Sequence, residues 1–561
     1  TSSSIAGATL PASGTYYLQV RHNAATAQLR PYRLHLRVQS GSPVAESEPN
    51  DTQPTANPLP PSGWVSGALA AATDVDIFSF ALNAGDTAFL SLDLDPERDA
   101  TEWNAQLGMA TFNNFILVVN DGGATGYDSE AFFMTVKDAG TYYAYVMTPT
   151  GGTTFGTYHL SVSVIPKAQQ TNCTTYTSTD VPVVLPGGPG MVQSTLTVPG
   201  NPRIGDIDVS IVLTHTFMQD LDVHLVSPAG NDNGLFSDVG NATVGSTNIQ
   251  MDTILDDEAA LPIGQFAVVA GPRFTPELAY RLSWYDYTNA GGVWTLKLYD
   301  DVTGDGGVLQ SWGITICQPP PPPSCPVGYD EVTVYSSDFE ADDGGFTHSG
   351  TQDEWERGLP TFAPITTCNS GSNCWKTDLD NTYNASSDQT LLSPAINLAG
   401  YSGPVILRWA QRFHIENATF DGAFAQVQEA GGANPTRLWT WLDATMNSTV
   451  GNPATTIQQS AGWGERWADI SAYAGQNIET LFNLNSDTTV QLTGLAVDDV
   501  SVTACQEAVA TSTPTNTPTD TPVAPTATPT ATPTDTPVAP TATPTATPTD
   551  TPVAPTATPT A

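Results

Sequence analysis

Along much of this chain large apolar residues fall at every second position, and that period leaves room for little besides β-strands. Trp294, Leu296 and Leu298 alternate with Thr295, Lys297 and Tyr299, and Trp312, Ile314 and Ile316 repeat the pattern. A period of two turns one face of a strand toward a core and the other toward water. Between the two runs lies Asp300-Asp301-Val302-Thr303-Gly304-Asp305-Gly306-Gly307, whose glycines permit positive φ in a tight tip. The stretch Gly291–Cys317 therefore reads as a β-hairpin. Similar alternation recurs at 13–20 and 32–38 and again at 139–146 and 156–164, with G-T-Y-Y each time and then Y-x-L-x-L-x-V in the first copy and Y-x-L-x-V in the second. Such self-similarity means two copies of one module, the first truncated.

With 561 residues the chain exceeds what one core can serve. The expectation is an all-β protein, with serial β-sandwich and jelly-roll domains followed by a disordered Thr/Pro-rich stalk. The stalk begins near Val509, where the composition falls to Thr, Pro and Ala, and a 15-residue unit, TPTDTPVAPTATPTA, repeats at 517–531, 532–546 and 547–561. It has nothing to bury and reads as an extended, polyproline-rich segment open to O-glycosylation. A shorter polyproline spacer, Pro319–Pro323, separates two modules.

Charge narrows the partners. Lys and Arg number 17 against 57 Asp and Glu, a formal charge of −40, which repels nucleic acid and anionic membrane. No stretch approaches the roughly 20 apolar residues of a membrane span. Carboxylates in such excess lack ionic partners; Ca2+ is the natural counter-charge, although a solvated acidic surface accounts for most of them. The six cysteines sit by segment: Cys173 and Cys317 bracket one, Cys325 and Cys505 the next, and Cys368 and Cys374 lie inside the latter. That arrangement favours the pairings 173–317, 325–505 and 368–374, and with them an oxidising, extracellular or cell-surface location. The chain starts at Thr1 with neither Met nor signal peptide and is expected to be a piece of a longer secreted chain.

Three resemblances attach to these segments. The G-T-Y-Y and Y-x-L-x-V signatures, with Glu46-Ser47-Glu48-Pro49-Asn50-Asp51-Thr52 and Asp74-Val75-Asp76 ahead of them, resemble the bacterial pre-peptidase C-terminal (PPC) domain. The related collagen-binding domains of clostridial collagenases bind Ca2+ through an acidic leader and a later Asp pair. That resemblance implies Glu46, Glu48, Asn50, Asp51 and Asp74 as ligands, with Asp76 beside them. Asp220-Leu221-Asp222-Val223-His224-Leu225-Val226-Ser227-Pro228-Ala229-Gly230 together with Gly291–Cys317 resembles the P (Homo B) domain of proprotein convertases and subtilisin-like proteases. Its strand ends suggest a Ca2+ rim from Asp220, Asp222, Asp256, Asp300 and Asp305. Asp338-Phe339-Glu340, Asp353-Glu354-Trp355, Cys374-Trp375 and Asp498-Asp499-Val500 resemble a MAM-type, concanavalin-like jelly roll of immune-inhibitor-A-like peptidases. Glu340, Asp378 and Asp499 are its candidate metal ligands. Trp355, Trp375, Trp409 and Trp467 read as core residues rather than sugar-stacking ones.

The expected domains are residues 1–40 (the C-terminal part of a PPC-like sandwich), 41–168 (a complete one), 169–318 (P-like), 319–324 (linker), 325–506 (jelly roll) and 507–561 (stalk). No H-E-x-x-H, no G-x-S-x-G and no subtilisin triad segment occurs, so no catalytic residue is assigned. Paired carboxylates of unknown separation leave a glycosidase reading open. The resemblances imply a non-catalytic accessory and binding region of an exported, subtilisin-like serine protease. Its partners would be an upstream protease domain and an extracellular protein or polysaccharide matrix. A structural or adhesive surface protein and a carbohydrate-binding array are the alternatives.

Overall fold

The computed structural model of the chain describes residues 10–20, 34–99, 103–112, 115–120, 130–168, 170, 172–239, 250–265, 270–277, 281–416, 420–441, 449–450, 455–456 and 459–508. Among them there is no α-helix, only strands and short 3-10 turns. The Thr/Pro segment from residue 509 lies outside the described residues.

Three hydrophobic cores order the strands. The first collects Phe78, Leu90, Leu92, Leu107, Val146, Tyr158 and Leu160; the second Ile211, Leu225, Trp294, Leu298, Trp312 and Ile314; the third Phe339, Trp355, Trp409, Phe482 and Val500. Many of these strands alternate buried with less buried positions, among them Thr157–Ile165, Asp206–His215 and Gly292–Asp300, which is how antiparallel sheets pack face to face with one side wet; Leu221–Val226 and much of Gly494–Glu507 are buried on both faces. The third core lies between two six-stranded sheets. One is built on Gly494–Glu507 beside Ser402–His414, the other on Asn477–Asn485 beside Gly422–Glu429.

The stretch read as a hairpin is instead an arch. Gly292–Asp300 lies in a four-stranded sheet with Gly190–Val198, Leu221–Val226 and Asp232–Ser237, whereas Gly307–Cys317 lies in the opposing eleven-stranded sheet. The physical reason is in the side chains. Trp294, Leu296 and Leu298 bury one face, and Trp312, Ile314 and Ile316 bury another, and all six meet in one core. Two strands that share a core from opposite sides cannot also pair edge to edge, and the six-residue tip Asp301–Gly306 spans the sandwich. Alternation alone does not separate these two geometries.

Nor are the modules independent. In the eleven-stranded sheet, Val44–Ala45, Trp64–Ala68, Thr157–Ile165, Thr87–Asp93 and Glu130–Val136 continue directly into Ala270–Phe274, Gln250–Leu255, Asp206–His215, Gly307–Cys317 and Cys173–Thr177. The seam is antiparallel pairing of Val136 with Pro272 and Thr135 with Arg273, reinforced by Lys137, whose ammonium lies 2.9 Å from Asp252. Each sheet edge thereby covers the other, removing two open edges. A second seam joins the next pair of cores. Thr288 bridges Gly464, Trp284 packs edge-on against Trp441 with ring centroids 5.4 Å apart, and Arg203 pairs with Glu465.

The first module copy differs from expectation: residues 10–20 and 34–43 carry no strand. Residues 34–40 lie along the neighbouring sheet by their odd-numbered side chains. His35 stacks on Phe89 and lies tilted against Phe133, and Arg37 donates to the Val162 carbonyl and Ser163 hydroxyl. Leu34, Leu36 and Val38 are left exposed, because no second sheet among the described residues covers them. Trp355, Trp375 and Trp409 are buried, which removes them from any sugar-facing surface. The three disulfides are 173–317, 325–505 and 368–374.

Candidate metal centre

The acidic leader and the Asp74–Asp76 segment are brought together where two sheets of the first core begin. Glu46 follows the short strand Val44–Ala45, and Asp76 is the second residue of Val75–Leu82. Glu46, Glu48 and Asp76 each offer an oxygen within 4.8 Å of the others. Asp76 is wholly buried, and its Oδ2 accepts a 2.6 Å hydrogen bond from the Tyr158 hydroxyl, which also reaches Glu46 at 2.9 Å. Burial, offset in part by Tyr158 and aggravated by the Glu46 charge, pushes the Asp76 carboxyl up to about 8. Tyr158 itself is held well above the usual phenol range, by burial first and then by Asp76 and Glu46.

Two buried oxygens here, Asn50 Oδ1 and Asp76 Oδ1, have no hydrogen-bond donor. Leaving such acceptors unmade is costly. A Cβ on Gly67 would fall 2.3 Å from the Tyr158 hydroxyl and 2.6 Å from Glu46 Oε2, so glycine keeps this pocket open. The ligand set is oxygen throughout, as a hard cation such as Ca2+ requires. These residues fit Ca2+. Asp74 and Asp51 stand at the rim. Asp74 Oδ2 accepts from the Ala70 amide at 2.5 Å, and contact with Asp74 pushes the exposed Asp51 carboxyl up.

Tyr158 was not legible as a site residue. It shares one strand face with Leu160 and Val162, which marks it as core, and only the fold shows that its hydroxyl reaches across to the acids.

The expected acidic rim of the second core divides. Asp256 is no free ligand: wholly buried, it lies 2.7 Å from the Lys167 ammonium and 2.9 Å from Arg273. Asp300 is 4% exposed and caps the Gly188 amide at 3.0 Å, with His215 at 3.4 Å. Asp305 accepts from the Thr216 hydroxyl at 2.9 Å. Asp220 keeps one buried oxygen without a donor, and burial, then Asp305 and Asp300, pushes its carboxyl up. Asp222 belongs to a different cluster, with Asp238 and Asp301. His224 is buried 2.9 Å from Asp232.

In the third core Glu340 and Asp499 grip one loop, the one closed by Cys368–Cys374. Glu340 Oε1 accepts from the Ser372 and Asn373 amides at 2.8 and 2.6 Å, and Asp499 accepts from Asn369 Nδ2 and the Ser370 hydroxyl at 2.7 and 2.8 Å. Asp498, which sequence reasoning passed over, accepts from the Asn369 and Ser370 amides. These carboxylates hold one loop, Glu340 and Asp498 through backbone amides and Asp499 through side-chain donors. Asp378 sits apart at a left-handed φ of 54°.

No protein-family model matches the chain. Bacillopeptidase F of Bacillus subtilis (strain 168) is 32% identical over 166 residues, covering 30% of this chain and 10% of that protein. The chain thus spans about a tenth of the length of the curated relative it matches. Among solved structures, the K1 cleaved adhesin domain of Lys-gingipain from Porphyromonas gingivalis W83 is 15% identical, covering 31% of this chain and 97% of that domain, with a TM-score of 0.22. The pre-peptidase C-terminal domain of collagenase from Bacillus anthracis is 19% identical, covering 21% and 100%, with a TM-score of 0.16. At these scores the β-sandwich reading rests on the sheets themselves. The chain shares a segment with a bacterial protease.

Proposed function

We propose that this chain is the non-catalytic accessory and binding region of an exported bacterial protease, a subtilisin-like serine endopeptidase. The observation that carries the reading is the 32% identity to Bacillopeptidase F over 166 residues. In this reading residues 41–168 are a PPC-like sandwich, 169–318 a P/Homo B-like sandwich and 325–506 a MAM-like jelly roll. They stabilise an upstream catalytic domain and engage an extracellular protein or polysaccharide matrix. Ca2+ held by Glu46, Glu48 and Asp76, with Asn50 beside them, locks the opening of the first complete sandwich, with an affinity of about 10⁻⁴–10⁻³ M as extracellular modules have. Disulfide bonding supports an extracellular setting.

The test is to label the longer parent protein and this chain separately with a fluorophosphonate, which marks activated serine nucleophiles. Labelling of the parent outside these residues, with none on this chain, is the expected result. A parent that never labels and consists of further sandwich repeats would replace this reading with a structural or adhesive surface protein. The carbohydrate-array reading loses support, since Trp355, Trp375 and Trp409 are buried.

A further inference from the structure

The four-stranded sheet of the second core ends in a group of acids unlike the paired acids elsewhere in that sandwich. Three adjacent strands, Gly292–Asp300, Leu221–Val226 and Asp232–Ser237, finish side by side. Asp222 stands in register between Ser237 on one side and Tyr299 on the other. Asp238 follows its strand directly, in a left-handed conformation at φ 51° that Asp tolerates better than most residues, and its amide donates to the Leu221 carbonyl at 3.1 Å. Asp301 follows the third strand, and its amide donates to the Asp220 carbonyl at 3.2 Å. The backbone thus pins both flanking aspartates against the central one. The three carboxylates come within 4.8 Å of one another.

Two further observations separate this group from an ordinary acidic surface. Asp222 is completely buried, and neither of its oxygens has a hydrogen-bond partner, the Ser237 hydroxyl being the polar group facing it. Both oxygens are closed to a water-sized probe, so no solvent shell compensates the charge. The fold also shows what it does with a buried aspartate meant to stand alone: it sets Lys167 and Arg273 against Asp256. Among the described residues no Lys or Arg pairs with Asp222 or Asp238. Burying an unpaired carboxylate costs several kcal/mol in general, and a cation is what removes the cost.

We infer that Asp222, Asp238 and Asp301 form a Ca2+ site that ties the ends of three strands together. All donors are oxygens, which selects a hard cation. Asp222 closes the site from inside, while the exposed Asp238 and Asp301 leave room for the waters that complete six to eight ligands, a looser shell than Mg2+ accepts. Glu277, whose Oε2 accepts from the Ser237 amide at 2.8 Å, adds a fourth negative charge close by. The site is separate from Glu46–Asp76 and stands whether or not the proposed protease context holds.

The experiment counts Ca2+ bound to the full chain by equilibrium dialysis with radioactive calcium, for wild type, D222N, D301N, D238N and E48Q. Loss of one equivalent in D222N and in D301N, with E48Q losing a different equivalent and D222N/E48Q losing two, is expected. A melt adds a second readout: D222N should raise the melting temperature in chelator, by removing the buried charge, yet abolish the Ca2+-dependent rise from this sandwich. Wild-type stoichiometry in both D222N and D301N overturns the inference. So does a D222N protein that gains the same stability with and without Ca2+. If D222N fails to fold, D238N at the exposed rim decides: a bound equivalent retained at wild-type affinity overturns it, and an affinity at least tenfold weaker supports it.

Discussion

Replacing Arg273 with Met should unlock the seam between the first two cores. Arg273 Nη1 lies 2.9 Å from both Asp208 and Asp256, and Lys167 lies 2.7 Å from Asp256 and 3.5 Å from Asp208. Two cations and two carboxylates balance, with side-chain exposure of 16% or less throughout. The cations are shared unequally. Burial pushes Asp256 up, but Lys167, the Glu258 side chain and Arg273 outweigh it and the net is downward. Asp208, buried beside the Asp256 charge and farther from Lys167, is pushed up to about 6. At about 3 Å and an effective dielectric near 20, each contact is worth roughly 5 kcal/mol gross. Desolvation cancels most of it, yet removing one partner of a buried pair costs about 3–5 kcal/mol. For a sandwich of this size that corresponds to a fall in melting temperature of roughly 6–20 °C. R273M/D256N leaves Lys167 facing Asp208, a balanced pair, and should recover about 2 kcal/mol of the loss. Differential scanning calorimetry of the full chain, with the four members of this double-mutant cycle, reads both quantities. A loss in R273M below about 1 kcal/mol, or single losses that simply add in the double mutant, would refute the reasoning.

Three other outcomes are expected. At 1 mM Ca2+ and a dissociation constant near 10⁻⁴ M, the Glu46–Asp76 site adds about 1.4 kcal/mol, so chelation should lower the first transition by a few degrees in wild type and not in E46Q. His414 is held down to about 4, by burial first and then by Arg412 and Lys376. Its folded pKa lies below the ordinary 6.5, so the jelly roll keeps full stability above pH 6.5 and loses up to about 3 kcal/mol as pH falls through 4; H414Q should flatten that slope in urea melts. Removing Cys173–Cys317, which closes 144 residues, should cost about 4–5 kcal/mol by the chain-entropy estimate, measured as the denaturation midpoint of C173S/C317S against wild type.

The strands were legible because their side chains announce a period of two, and the disulfides because the cysteines bracket segments. Edge partners were not legible. The pattern at Trp294–Leu298 and Trp312–Ile316 says which face is buried but not which neighbour supplies the hydrogen bonds, so an arch read as a hairpin. The same gap hid the seam at Val136–Pro272, since a proline in Ala270–Phe274 reads as an edge rather than as a joint. Of the candidate site, the acids of the leader were visible as a run of oxygen side chains. Their closure by Tyr158 was hidden, because a tyrosine in a core alternation looks like packing until its hydroxyl is located. Asp256 looked equivalent to Asp222, since both are acids at the end of an apolar strand pattern with further acids beside them, Asp257 and Glu258 in one case and Asp220 in the other. What separates them is Lys167 and Arg273, residues far away in sequence that meet Asp256 only across the seam.

That contrast carries a consequence for how so acidic a chain holds its shape. With 17 basic residues against 57 acidic ones, cations cannot serve every carboxylate, and their placement is selective. Lys137 and Lys167 with Arg273 sit on the first seam between cores and Arg203 with Glu465 on the second, and beside Asp256 an unpaired charge would be dry on both sides. The acids left without Lys or Arg at strand ends, Asp76 and Asp222 among them, lie instead at the openings of the sandwiches, beside exposed acids such as Glu48 and Asp238. The seam held by Lys167 and Arg273, in water-poor surroundings, loses little to salt screening, and it does not depend on calcium. Openings closed by the proposed Ca2+ would. The two kinds of stability should therefore come apart experimentally: R273M should weaken the chain equally with and without chelator, and chelation should loosen strand ends while leaving the pairing of Thr135 with Arg273 protected from amide exchange.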